Sequence, residues 1–334
     1  MLKLGYKASA EQFGPDVLLE FGTIAETTGF DSVFVSDHFQ PWRHSGGHAP
    51  NSIAWLGALG ACTKRLTIGT SVLTPTFRYH PSIIAQAFAT LGVMFPGRIV
   101  LGVGTGESMN EVPATGMEWP GFKERFGRMR ESILLINRLF GEDRLTFEGE
   151  YYKTAKATLY DRPRPSVPIY IAASGPTAAK LAGEVAAGFI CTSGKAPSLY
   201  RETLLPNVAA GLAAARRSAD ALERMIEMKV SFDTDFERAR NDTRNWAALA
   251  LSAEEKTSTE DPLELERLAD ALPIERAASR WIVSTDPEEQ VEAIRPYIEL
   301  GFTHLVFHAP GTDQARFLKL YGEKVLPMLR AKFG

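Results

Sequence analysis

The sequence predicts an α/β fold, a (β/α)8 TIM barrel formed as one domain over residues 1–334, with insertions after several strands. Three observations predict it. One local unit recurs: an amphipathic helix ends near a glycine, a short apolar strand follows, and the strand ends in small or polar residues. "TTGFDSVFVSDH", "FPGRIVLGVGTGE", "VAAGFICTSGK" and "ELGFTHLVFHAPG" all have this form, the glycine supplying the left-handed residue that returns the chain to the sheet. Eight strand segments alternate with helical ones, which forces parallel pairing. No glycine- or serine-rich linker divides the chain. An open doubly wound sheet is the alternative architecture.

Strand one is "LKLGYKAS", followed by a helix over residues 17–28. In strand two, "SVFV", β-branched and aromatic residues stand consecutively, as a strand covered on both faces requires; it runs into Asp37 and His38. Strand three, within "TKRLTIGTSVLTPT", delivers Ser71, Val72, Thr74 and Thr76, and a helix over 83–94 follows. Strand four ends in Thr105, Gly106 and Glu107, ahead of a helix over 122–140. Strand five, in "PSVPIYIAASGP", ends in Ala173, Ser174 and Gly175 before a helix over 177–185. Strand six gives Thr192, Gly194 and Lys195; strand seven is "MIEMKVSFDTD". A helix over 288–300, strand eight and a closing helix over 314–332 complete the pattern. Long insertions occupy 40–51, 108–121, 146–166 and 236–284. All but the third follow the carboxyl end of a strand, where barrel active sites are built.

With 45% hydrophobic and 23% charged residues, the chain has ordinary globular composition. A net charge of −3 and a pI near 6.1 give no reason to expect nucleic-acid or acidic-membrane binding. No apolar run approaches a membrane span. Cys62 and Cys191 lie far apart in apolar surroundings, and no basic-then-apolar leader opens the sequence, so a reducing cytoplasm is expected.

An acid, an imidazole, a lysine and several glycines around one rim have the composition of an enzyme site. Competing readings of each piece fall short. "GVGTGE" lacks the continuation, the immediate helix and the distant acid of a nicotinamide-nucleotide fingerprint; its glycines let backbone approach a flat ligand. "CTSGK" is followed by Ala196 where a P-loop needs Ser or Thr, although Lys195 beside Thr192 can still hold a phosphate as a point charge. His44 and His48 have no cysteine or carboxylate at metal-ligand spacing, and no metal is expected. His80 reads as a helix-start residue, His304 as a strand-edge one, and His308 as facing either the site or its wall. Trp55 and Trp281 read as packing. Trp42, beside Pro41 in a loop with little to pack on, reads as a site residue.

The fold pattern resembles the bacterial luciferase-like superfamily of flavin and deazaflavin barrels. Within it, "LGYKASAEQF", "VSDHFQPWRH", "GTSVLTPTFRY", "LGVGTGE", "GFICTSGK", "DALPIE", "RWIV" and "HLVFHAPG" closely resemble the glucose-6-phosphate dehydrogenases that depend on coenzyme F420. The resemblance implies a deazaflavin in the barrel mouth, against Asp37, Thr74, Thr105, Asn110 and the backbone around Ser71, Val72, Gly106, Ala172, Ala173, Ser174 and Gly175. It also implies a cis peptide bond at Ser71–Val72 forming a bulge behind the ring. Thr192, Lys195, Lys256 and Arg280 would hold the phosphate of a sugar 6-phosphate. Hydride would pass from C1 of the sugar to C5 of the ring, and a general base must take the O1 proton. His38 is the favoured base, oriented by Asp37 or Glu11, with Glu107 assisting at the ring's N1 side; the two assignments can be exchanged. Trp42 would stack on sugar or ring. A homodimer is implied.

Two departures stand out. Thr257 follows Lys256 where the family usually carries a histidine, and Ser174 replaces the first of a glycine pair in the cofactor's phosphate loop. The first opens the sugar pocket toward other hexose 6-phosphates, such as mannose or fructose 6-phosphate. On the same barrel, an FMN-dependent monooxygenase, an F420-dependent alcohol dehydrogenase or a non-catalytic deazaflavin carrier are the rivals. None of these needs three cations for a phosphate.

Overall fold

Parallel strands close into a barrel in the computed structural model, which describes residues 2–334. They are β1 (Lys3–Ala8), β2 (Ser32–Val35), β3 (Thr67–Thr70), β4 (Ile99–Val103), β5 (Ile169–Ala172), β6 (Gly188–Thr192), β7 (Glu223–Phe232) and β8 (His304–His308). Each pairs with the next, and β8 returns to β1 with Lys3 opposite His304. A short strand, Ile282–Ser284, adds to the end of β7.

Closure gives every strand two buried faces. The outer face meets the helices, as where Leu18, Phe21 and Ala25 of Pro15–Thr27 join the main core. The inner face is read with period two. An apolar plug of Phe34, Val100, Tyr170, Ile190, Met225 and Val306 fills the lumen. Toward the carboxyl ends the same alternation brings Lys7, Glu227, Lys229 and His308 inward, all buried. The plug fills the lumen below the carboxyl ends of the strands.

The insertions are structured. Residues 236–284 form short helices with a small core of their own, built on Ala247, Ala248, Leu251, Leu265, Ala269, Leu272 and Ala277 and joined by Met109. In the insertion at 146–166, an antiparallel hairpin pairs Leu145–Glu148 with Lys153–Ala157. Two expectations are corrected. The closing helix over 314–332 is two helices, Gln314–Lys324 and Leu326–Phe333, because Pro327 has no N–H to give and its ring crowds the preceding turn. His304 is not at an edge: it is buried in the lumen, with Nε2 2.7 Å from the Ser32 hydroxyl and Nδ1 3.4 Å from Glu223. His80 does start a helix, capping Pro81–Met94 by accepting from Ser82 N–H. Among the described residues no helix is long and apolar enough to cross a membrane, and no group of three or more His, Cys, Asp or Glu side chains gathers to hold a metal ion.

Candidate active site

The carboxyl ends of β2 to β6 open on a cavity of about 370 Å³. Asp37, His38, Ser71, Val72, Thr74, Thr105, Gly106, Glu107, Asn110, Ala172, Ala173, Ser174 and Thr192 line it, so thirteen residues expected at the site by sequence meet in one place. Its wall is shaped by what is missing from it. A Cβ on Gly104 would stand 2.8 Å from Val72, and one on Gly106, at φ 83°, would stand 2.9 Å from Thr74. Both glycines therefore leave bare backbone against the cavity. The Ser71–Val72 bond is cis. With apolar Val72, Ala172 and Ile190 on its walls and Thr74, Asn110 and Ser174 at its margin, the slot fits a flat heterocycle with polar edges, which is the shape of a deazaflavin. Gly175, next to Ser174, caps the helix Pro176–Val185, whose first N–H groups suit an anion.

His38 is held between two carboxylates. Its Nδ1 lies 3.3 Å from the Gln40 carbonyl; donation there leaves the lone pair on Nε2. That nitrogen is 3.5 Å from Glu11 and 3.6 Å from Glu107. Glu11 is buried, and its Oε1 accepts from the Ser36 hydroxyl at 2.7 Å. Burial would raise the Glu11 carboxyl, but His38, Lys7 and Ser36 outweigh it and hold it below the usual range. Glu107, by contrast, is half exposed on the cavity side. Asn110 ties the parts together: its Oδ1 accepts from the Phe39 and Gln40 N–H groups at 2.8 and 3.1 Å, and its Nδ2 faces Glu107 at 3.4 Å.

Of the residues expected to hold the phosphate, Thr192 lines this cavity, while Lys195, Lys256 and Arg280 stand outside its lining. The segment Thr192–Lys195 is fixed by the Tyr200 hydroxyl, which donates to Thr192 O at 2.8 Å and receives the Lys195 N–H at 3.2 Å. Arg280 donates to Gly194 O at 2.8 Å, leaving its buried Nε without a partner. Lys256 spends one proton on Leu249 O at 2.7 Å. Burial, then repulsion from Lys195 and Arg280, brings the Lys256 ammonium down to about 8, with Glu107 opposing. Burial, Arg280 and Lys229 likewise lower Lys195. Arg280 is held against Gly194, the neighbour of Lys195, the charges of Lys195 and Arg280 both lower Lys256, and among the described residues none of the three forms a salt bridge. Partly desolvated like charges that no carboxylate pairs at salt-bridge distance suit a dianion.

Some expectations change. Asp37 lines the cavity but does not orient His38: its Oδ1 accepts from Ser52 Oγ at 2.6 Å and its Oδ2 from Arg78 at 3.0 Å. Of the two candidates, Glu11 is the one that faces the imidazole. Trp42 stands 6.0 Å from His38, ring to ring, yet it does have packing partners, resting on the small core of the 236–284 insertion. Thr257 is exposed, its hydroxyl turned back to Ala253 O at 2.9 Å. Trp55 and Trp281 pack as expected, Trp281 lying edge-on to His308 at 5.1 Å. His308 faces the lumen, against Lys229 at 2.8 Å.

Gly104, one of the glycines of "GVGTGE", lines the cavity as its motif implied, while Glu227, Cys191, Glu111 and Ile190 also line it and were not foreseen. For Glu227 a signal existed: a carboxylate on the inward phase of a strand covered on both faces must point into the barrel.

The luciferase-like monooxygenase family model matches residues 3–304. An F420-dependent glucose-6-phosphate dehydrogenase of Nakamurella multipartita is 67% identical over 333 residues, covering 100% of this chain and 98% of that protein. One from Mycolicibacterium smegmatis is 60% identical, with 98% of each covered. Among solved structures, an F420-dependent secondary alcohol dehydrogenase in complex with an F420–acetone adduct aligns with a TM-score of 0.92 at 35% identity, over 98% of this chain and 99% of that one.

Proposed function

The chain belongs to the luciferase-like monooxygenase family, and within it we propose an oxidoreductase that oxidises glucose 6-phosphate at C1 using coenzyme F420. The observation that carries this reading is a cavity lined by the His38 imidazole, bare glycine backbone and Thr192, continued past Thr192 by Lys195, with Arg280 bonded to Gly194 O and no carboxylate partner on either cation. The full-length relatives at 60–67% identity bear the same activity in their names. When bound, F420 supplies a two-electron acceptor that takes hydride at its C5 and activates oxygen poorly.

The chain's own residues do the rest. Lys195, Lys256, Arg280 and Thr192 bind the phosphate and so set the distance of C1 from the slot. His38 accepts the O1 proton at Nε2 as the C1–O bond gains carbonyl character and the lactone forms. The charge that develops on its ring lies between Glu11 and Glu107, and the Nδ1 contact to Gln40 O holds the ring in place. Glu107, on the cavity side, serves the N1 edge of the cofactor. Asn110 keeps the His38 loop and Glu107 in register. Thr74, Thr105, Ser174 and the backbone of Gly104–Gly106 and Ala172–Gly175 hold the cofactor. The free thiols Cys62 and Cys191 go with a reducing cytoplasm, and a homodimer is the assembly that sedimentation would check.

The test is an absorbance assay of oxidised F420 with purified protein. Glucose 6-phosphate should bleach it; 2-propanol should not, and FMN should not bind. Turnover of the alcohol alone would overturn the reading.

A further inference from the structure

Four ionisable side chains lie buried at the floor of the cavity, Lys7, Glu227, Lys229 and His308, each at most 6% exposed; of these only Lys7 has a part in the chemistry above, through its charge on Glu11. Buried charge is costly and is retained where something is gained. Glu227 is the hub. Lys7 Nζ is 3.6 Å from its Oε2, Lys229 donates to its Oε1, and His308 Nδ1 lies 3.6 Å away. Lys229 Nζ also meets His308 Nδ1 at 2.8 Å, and Ser193 Oγ receives the Lys229 backbone N–H. The aromatic rings of Trp246 and Trp281 pack edge-on to His308. Burial and Lys229 push the imidazole down to about 4, and burial lowers the Lys229 ammonium while Glu227 opposes it.

One of the cluster's contacts reaches the wall of the cavity. Lys7 Nζ donates to the Ser71 carbonyl at 2.5 Å. Past the end of β3, the amides of this segment are fixed by the neighbouring strands: Ser71 N–H donates to Val35 O, Leu73 N–H to Gly102 O, and Val72 O receives the Asp37 N–H. The Ser71 carbonyl points into the lumen instead, and among the described residues Lys7 is the side chain that satisfies it. Ser71 and Val72 line the cavity, as does Glu227.

We propose that Lys7 and Glu227 are positioning residues that seat the deazaflavin. Glu227 holds the Lys7 ammonium, and Lys7 fastens the Ser71 carbonyl, so the segment under the ring has one conformation. This rests on the functional reading above, and it separates the cofactor seat from the phosphate pocket, which Lys7 does not touch.

The experiment measures F420 dissociation constants by fluorescence, the KM for glucose 6-phosphate, and Tm, on the full chain. Lys7→Met should weaken F420 binding by about tenfold, the loss of one charged hydrogen bond, with the sugar-phosphate KM within about twofold of wild type. Lys7→Met combined with Glu227→Gln removes the two facing groups together, so neither is left without its partner, but leaves Ser71 unfastened. Its Tm should recover toward wild type while F420 binding stays weak. Should Lys7→Met not fold, the isosteric Glu227→Gln decides: F420 binding at least about threefold weaker, at unchanged KM, supports the proposal. Unchanged F420 affinity in any folded variant, or affinity restored together with Tm in the double variant, would overturn it and leave the cluster a structural plug. Failure of the wild type to bind F420 would instead sink the functional reading.

Discussion

Lys256 offers a titration that reads the phosphate pocket directly. Burial and the charges of Lys195 and Arg280 place it at about 8 in the free protein. A phosphate dianion favours the ammonium, so binding is strongest while Lys256 is protonated and weakens as pH rises past that value. At pH 7 about nine-tenths of the free protein carries the charge; at pH 9 about one-tenth does, one factor of ten for each pKa unit crossed. If the protonated form alone binds well, the KM for glucose 6-phosphate rises by up to about tenfold between pH 7 and pH 9, while kcat moves little from this cause. Lys256→Met should remove the slope and fix KM at a high level. The loss is one charge-assisted hydrogen bond, about 1.5–3 kcal/mol, or on the order of 10- to 100-fold. The assay is steady-state bleaching of F420 at saturating cofactor across that pH range. A flat wild-type KM, or a slope that survives in Lys256→Met, refutes the assignment of the titration to Lys256.

His38→Ala should lower kcat by about 10²- to 10⁴-fold, the usual worth of a positioned base, with F420 affinity and sugar-phosphate KM nearly unchanged; an intact kcat would pass the role to Glu107, which Glu107→Gln then tests. With Thr257 exposed and bonded to its own helix, mannose 6-phosphate should be turned over within about 100-fold of glucose 6-phosphate in kcat/KM, and Thr257→His should widen that gap. Fructose 6-phosphate, whose anomeric carbon bears no hydrogen, is the negative control, which corrects its inclusion among the expected substrates; activity confined to glucose 6-phosphate contradicts the open pocket. His308 titrates at about 4 when folded against its ordinary 6.5, so below pH 6.5 the unfolded chain binds the extra proton first. Stability should fall as pH drops from about 6.5 to about 4, by up to about 3 kcal/mol. Chemical denaturation checks it, and His308→Gln should flatten that window.

The barrel was legible because its repeating unit is local: glycine, apolar strand, polar strand end. The rim followed from the fold, since whatever stands just past a parallel strand faces the same mouth; this is how His38, Thr74, Thr105, Glu107 and Ser174 were found together. Lys256 and Arg280 were not legible from the residues, because an insertion of its own small core carries Lys256 to Lys195 across about 60 residues of chain; the family resemblance supplied that grouping. Asp37 shows the opposite limit. Its place at a strand end suggested a part in catalysis, but Arg78 and Ser52, distant in sequence, take up its carboxylate. In "LKLGYKAS" Lys3 and Lys7 share one phase of the strand, yet Lys7 is buried and Lys3 is not. Only barrel closure tells which end of that phase meets the site and which meets solvent.

Hydride transfer from the sugar is the central claim, and a label tests it most directly. Glucose 6-phosphate carrying deuterium at C1 should bleach F420 more slowly than the unlabelled sugar, and the reduced cofactor should carry one deuterium at C5. Bleaching without deuterium in the cofactor, or no bleaching with any hexose 6-phosphate, would contradict it.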